Sequence, residues 1–121
     1  MSEQYVNVYR VEKRGRGPFG DHSWAADDCM NNKLPTPSHD AGLPEEVRGW
    51  DIANYRFGTP SIESMKEWIT KPNELTKRGY KVSLYKAKKG YVHSSEIQSM
   101  FIKRHAKKVM EWDVEKFCRD I

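Results

Sequence analysis

Tyr5-Val6-Asn7-Val8-Tyr9-Arg10-Val11 sets Val6, Val8 and Arg10 on one face and Tyr5, Asn7, Tyr9 and Val11 on the other. Alternation over this length is the pattern of a β-strand, because successive side chains leave the backbone on opposite sides. The strand carries Arg10 toward a turn, Gly15-Arg16-Gly17-Pro18. A guanidinium offers a planar fork of donors, and nearby glycines let backbone N–H groups approach a ligand. Arg10, Gly15 and Gly17 are therefore candidates for holding a phosphate or another anion. The competing reading is a framework salt bridge, with Arg10 paired to an Asp or Glu of the acidic segment that follows.

Working outward, residues 20–49 show no sustained period and are broken by Gly42, Pro35, Pro37 and Pro44. They read as one long irregular loop, in which Trp24, Ala25, Ala26 and Met30 could supply a helical turn. Trp50 to Gly58 reads as a second strand. Thr59 or Ser61 then caps a helix whose stripe is Ile62, Met65, Trp68 and Ile69, and Pro72 ends it. A short turn around Leu75 closes at Gly79. Tyr80–Tyr85 is a clear strand, Lys88-Lys89-Gly90 a turn, and Tyr91–His93 and Glu96–Ile102 two shorter strands. Residues 103–120 read as a terminal helix, with Ala106, Val109, Met110, Val114, Phe117 and Ile121 toward the core. The expected architecture is a single α+β domain spanning 1–121, with about five mostly antiparallel strands, two or three helices and the 20–49 loop.

A chain of 121 residues can bury one core. Hydrophobic content is 37%, and four Trp, six Tyr and four Phe make up much of the area to be buried. No apolar run reaches the roughly 18 residues of a membrane helix, and no signal-peptide pattern opens the chain. These features imply a soluble, cytoplasmic protein with no membrane partner. Cys29 and Cys118 are expected to be reduced thiols. The spacing of His22, Cys29, His39 and Asp40 matches no compact zinc unit, so no metal site is expected.

Charge is unevenly spread. Residues 20–51 hold seven acids against Lys33 and Arg48, whereas 77–108 hold ten Lys or Arg against Glu96 alone. A basic surface interleaved with tyrosines can bind nucleic acid, by phosphate contact and base stacking. Lys86, Lys88, Lys89, Tyr91, Lys103 and Arg104 are the candidates for that role. The charge division also suits a protein partner.

Two resemblances sharpen these alternatives. Tyr9-Arg10, then Phe57-Gly58-Thr59-Pro60-Ser61, then Glu96-Ile97-Gln98 resemble in order the arginine, serine-threonine-serine and glutamate elements of ADP-ribosyltransferases. That likeness implies NAD as cofactor, a ligand pocket lined by Tyr9, Arg10, Gly15, Gly17, Phe57 and Ser61, and a catalytic role for Glu96 or Gln98. The middle motif is Gly-Thr-Pro-Ser, and a glutamine two residues after Glu96 points toward binding rather than transfer.

The wider framework resembles a family of small bacteriophage and prophage proteins. Its marks are Tyr9-Arg10-Val11-Glu12, Gly15-x-Gly17-Pro18, Pro35-x-Pro37 with Asp40, and Phe57-Gly58 with Ser61. Met65, Trp68, Gly79-Tyr80-x-Val82, Tyr85, Gln98 and Phe101 complete it. The expected function is accordingly that of a phage accessory protein that binds an NAD- or ADP-ribose-like ligand, with ADP-ribosyl chemistry as its enzymatic form. The alternatives are a non-enzymatic binder or inhibitor of a host protein and a basic-face nucleic-acid binder.

Overall fold

The computed structural model describes residues 4–15, 17, 27–31, 33–34, 40–44 and 55–121. Among the described residues, six strands and three α-helices follow one another as β1 (Tyr5–Glu12), β2 (Arg56–Gly58), α1 (Ile62–Trp68), α2 (Pro72–Lys77), β3 (Lys81–Lys88), β4 (Val92–Ser94), β5 (Ser99–Phe101), β6 (Ala106–Asp113) and α3 (Val114–Asp120). Short 3-10 turns occupy Asp27–Cys29, Lys89–Tyr91 and Lys103–His105. The strands form two antiparallel sheets, in the orders β1-β3-β6 and β2-β5-β4.

The alternation of the first strand is realised. Tyr9 and Val11 face one side of the larger sheet, where Met65, Trp68, Leu75, Val82, Val114 and Phe117 from the three helices and β3 complete the main core. Val8 faces the other side with Tyr85 and Ala87, packed against Phe101 of the small sheet. The larger sheet is thus covered by helices on one face and by β2-β5-β4 on the other. The two sheets meet where Tyr9 and Thr59 exchange backbone hydrogen bonds of 2.9 and 2.7 Å.

α1 begins as expected at Ser61. Its Oγ accepts from the Ser64 backbone N–H at 3.1 Å, and Ser64 Oγ in turn accepts from the Ser61 backbone N–H at 3.2 Å. Such a reciprocal cap satisfies two donors that a helix start leaves without partners.

Three expectations are corrected. The turn around Leu75 is a helix, α2: Pro72 does not close the preceding helix but opens the next one, where its missing N–H has no bond to lose. The strand expected over 96–102 is confined to Ser99–Phe101, after a bend at Glu96 and Ile97. The terminal helix begins only at Val114, and residues 106–113 form the strand β6. Ala106, Val109 and Met110 have helical spacing, but β3 needs a hydrogen-bonded neighbour on its outer edge. A register shift between Leu84 and Tyr85 leaves Val109 as an extra residue, which breaks the two-residue alternation. Val109 and Met110 are consequently exposed; Ile121, just past α3, is exposed as well, while Val114 and Phe117 are fully buried.

Within the described part of the expected second strand, Arg56–Gly58 is a strand; 50–54 lie outside the described residues, as do Trp24, Ala25 and Ala26. Within the 20–49 loop, Arg78 grips Asp28 through two 2.9 Å bonds, and Met30 bridges to Ile69. Cys29 and Cys118 are both thiols.

Candidate functional site

Arg10 is buried on the face of β1 that looks toward the small sheet, at 4% exposure. Its Nε donates to Glu12 Oε2 at 3.1 Å, Nη1 to the Phe57 carbonyl at 2.8 Å and Nη2 to the Gly15 carbonyl at 3.2 Å. Gly17 packs against the guanidinium so closely that a Cβ there would lie 3.4 Å from Nη2. Arg10, Gly15, Gly17 and Phe57 therefore converge as the sequence suggests. What they converge on is the guanidinium itself, which is engaged by acceptors of the chain.

The carboxylate partner is the neighbour two residues along the same strand, rather than an acid of the long loop. Glu12 is 3% exposed and also accepts from the Tyr85 hydroxyl at 2.7 Å, while Lys108 Nζ lies 3.2 Å away. Burial alone would raise its pKa. Tyr85, the nearby Ser83 hydroxyl, Lys108 and Arg10 together outweigh that effect and hold it below the usual carboxylate range. Ser83 Oγ stands outside hydrogen-bonding geometry, so its contribution is that of a neighbouring dipole. Burial, reinforced by Glu12, pushes the Tyr85 phenol up, and burial lowers Arg10 without approaching neutrality.

A carboxyl group with a lowered folded pKa stabilises the fold above its unfolded pKa, and that contribution is lost as pH falls through the folded value. Thermal melts below about pH 4 should therefore show a steep acid limb, shallower in a Glu12→Gln variant. Equal limbs in the two proteins would refute this linkage.

The other expected ligand and catalytic residues are dispersed. Tyr9 faces the opposite side of the sheet, 6.5 Å from Trp112 and 6.0 Å from Phe117 between ring centres. Ser61 caps α1, and the Phe57 ring packs edge-on against Trp68. Glu96 is exposed at a bend. Gln98 is completely buried and donates to Asp40 at 2.8 Å; Ser95 shares that carboxylate. These bonds fasten residue 40 of the long loop to the turn before β5.

The basic segment resolves into two parts. Arg78 is paired with Asp28 and Lys81 with Asp113 at 2.8 Å, so the charges nearest the helices are balanced. The surplus gathers where β1 begins, β3 ends and β6 begins. Across this end Tyr5 lies opposite Lys88, Asn7 opposite Lys86, and Lys86 opposite Lys107. The turns 89–91 and 103–105 lie side by side, and there Tyr91 stacks on His105 with ring centres 3.7 Å apart and planes 11° from parallel. Tyr91 is 39% exposed and Tyr5 51%. Lys89 is tied back to Gln4 by its backbone N–H, at 3.0 Å. Lys103 lies on the other face, with Nζ 5.9 Å from the Tyr85 ring centre. Among the described residues no carboxylate lies within ion-pairing distance of Lys86, Lys89, Lys103, Arg104 or Lys107.

Lys107, Tyr5 and His105 join this end without having been singled out in the sequence. The helix expected over 103–120 would have carried His105 and Lys107 away from Tyr91. An alternative strand reading of Ala106–Trp112 is the one signal that could have recovered them.

Fold and site together define a small α+β protein with one aromatic, strongly basic end; among the described residues, no helix is long and apolar enough to cross a membrane. The chain belongs to the Bacteriophage T4 Y00F protein family, whose model matches residues 1–115. The expected phage affiliation is thereby established, whereas the likeness to ADP-ribosyltransferases is not shown. No curated protein and no solved structure gives a significant match.

Proposed function

We propose that this phage protein binds single-stranded nucleic acid at the end of the sheet built from Tyr5, Lys86, Lys88, Lys89, Tyr91, Arg104, His105 and Lys107. The observation that carries the reading is the Tyr91–His105 stack at 3.7 Å, set beside Lys86, Lys89 and Lys107, which have no carboxylate within ion-pairing distance among the described residues. Cationic side chains neutralise phosphates and release counterions, and an exposed ring on a fixed stack offers a face to any unpaired base. Rings already stacked lose little further freedom when a base is added. An NAD-like ligand at Arg10 would have to compete with Glu12 and two backbone carbonyls for the guanidinium, so the basic end is the better supported site.

Fluorescence anisotropy with labelled single strands of roughly 20 nucleotides tests this. With about four phosphates neutralised, affinity should fall about 50-fold between ~50 and ~200 mM salt. Lys86→Gln with Lys107→Gln should flatten that salt dependence, because fewer counterions are released. Tyr91→Ala should weaken binding by about 1–3 kcal/mol at every salt concentration, leaving the slope unchanged. Absence of binding at ~100 µM protein in low salt would reject the proposal, since several phosphate contacts alone give affinities in that range or tighter. A melting-temperature rise with NAD or ADP-ribose, removed by Arg10→Ala, would then favour the nucleotide pocket.

A further inference from the structure

Independently of nucleic-acid binding, β6 presents an edge whose pattern complements itself. Among the described residues, no strand pairs with its outer side. Five consecutive residues, Lys107 to Glu111, are exposed, and at the centre Val109 and Met110 are 47% and 52% accessible. Charge is divided along the strand: Lys107 and Lys108 precede the centre, and Glu111 and Asp113 follow it. We propose that a second copy of the chain pairs here, antiparallel about a two-fold axis between Val109 and Met110, extending the sheet across both copies.

The bulge fixes the register. Facing residues on paired strands must lie on the same face of the sheet. In a regular strand Lys108 and Glu111, three residues apart, would point to opposite faces. Because Val109 is inserted, Lys108 aligns with Tyr85 and Glu111 with Ser83, which share one face. A two-fold axis at the bulge then sets Lys108 opposite Glu111 of the second copy, twice over. It also places Ala106 opposite Asp113 and Lys107 opposite Trp112, each pair on a common face, with Val109 and Met110 flanking the axis. Opposite charges directly across a ladder stabilise it, and like charges oppose it.

The same features explain why the occupant is a second copy rather than an arbitrary strand. Lysines and a bulge on an edge discourage indiscriminate pairing. They admit a strand that presents acids at the matching spacing with an apolar pair between them, and the chain's own β6 meets that requirement by symmetry.

Sedimentation equilibrium of the whole chain at about 50 µM should return twice the 14.2 kDa chain mass. Val109→Lys combined with Met110→Lys should return the single-chain mass while still melting cooperatively, since both side chains are exposed in the isolated fold and only the stabilisation linked to association is lost. Glu111→Lys, which sets lysine against lysine across the axis, should weaken self-association at least tenfold. A wild-type chain that stays at 14.2 kDa up to about 500 µM would overturn the proposal. So would a double-lysine variant that remains a dimer, because association would then use another surface.

Discussion

Replacing Glu12 with glutamine should destabilise the fold by about 3–5 kcal/mol, although the change removes no heavy-atom volume to speak of. Arg10 and Glu12 are buried together, at 4% and 3% exposure, and neither is well hydrated there. Their mutual attraction largely offsets what desolvation costs. Glutamine keeps an acceptor for Tyr85 but leaves the guanidinium as a buried charge without a counter-charge at its Nε. Arg10→Met should cost at least as much, because the Phe57 and Gly15 carbonyls lose their donor as well. The double variant should cost less than the two single losses added, by about 1–3 kcal/mol, as expected for residues in one network. Urea denaturation of the four proteins reads this directly. A Glu12→Gln variant within about 0.5 kcal/mol of wild type would mean that the Arg10 charge is balanced by something other than Glu12, and would restore the case for a bound anion at that position.

The same pair shows how far the sequence could be read. Alternation over Tyr5–Val11 assigned the strand, its two faces and the convergence of Arg10 with the following glycines. It could not show whether the arginine meets an external anion or an internal one, because that depends on how the side chains fold over the face and on the distant Phe57 carbonyl. The capping serine of α1 was legible for the same local reason: its partner is only three residues away. Residues 103–113 were not. Their helical spacing is real, yet the open edge of β3 and an inserted Val109 make them a strand, and neither is a local property of the segment. The sequence already pointed to Lys86, Lys88, Lys89, Tyr91 and Arg104, but that misreading hid the share of His105 and Lys107, since Tyr91 and His105 meet only when β3 and β6 run side by side.

Basic end and self-complementary edge belong to the same strand, and they make separable demands on it. Lys107 lies beside Lys86 on the helix-covered side of the sheet, beyond the reach of the helices, while Lys108 lies with Tyr85 on the other side and reaches Glu12. A substitution at Lys107 should therefore act on polyanion binding without disturbing the buried network. One at Lys108 should perturb the network and the edge together. Lys107→Gln and Lys108→Gln thus form an internal control for any surface assigned to β6.

Gly58→Ala should be the most damaging single-methyl addition in the described chain, at about 3 kcal/mol. A Cβ at this position would lie 2.4 Å from Val8 Cγ1 and 2.9 Å from the Tyr9 carbonyl oxygen. Neither neighbour can move cheaply. Val8 is β-branched and fully buried, and the Tyr9 carbonyl accepts the 2.7 Å bond from Thr59 that joins the two sheets. The methyl must therefore either push the sheets apart, breaking the Tyr9–Thr59 exchange, or force Val8 out of its rotamer against Phe101. Pairing Gly58→Ala with Val8→Ala separates these routes. Removing Cγ1 relieves the shorter contact but leaves the carbonyl clash and a small hole beside Phe101, so rescue should be partial, roughly half the loss. Full rescue would place the whole conflict in the side chain. No loss in the single variant, measured by thermal melting, would show that β2 does not approach β1 this closely.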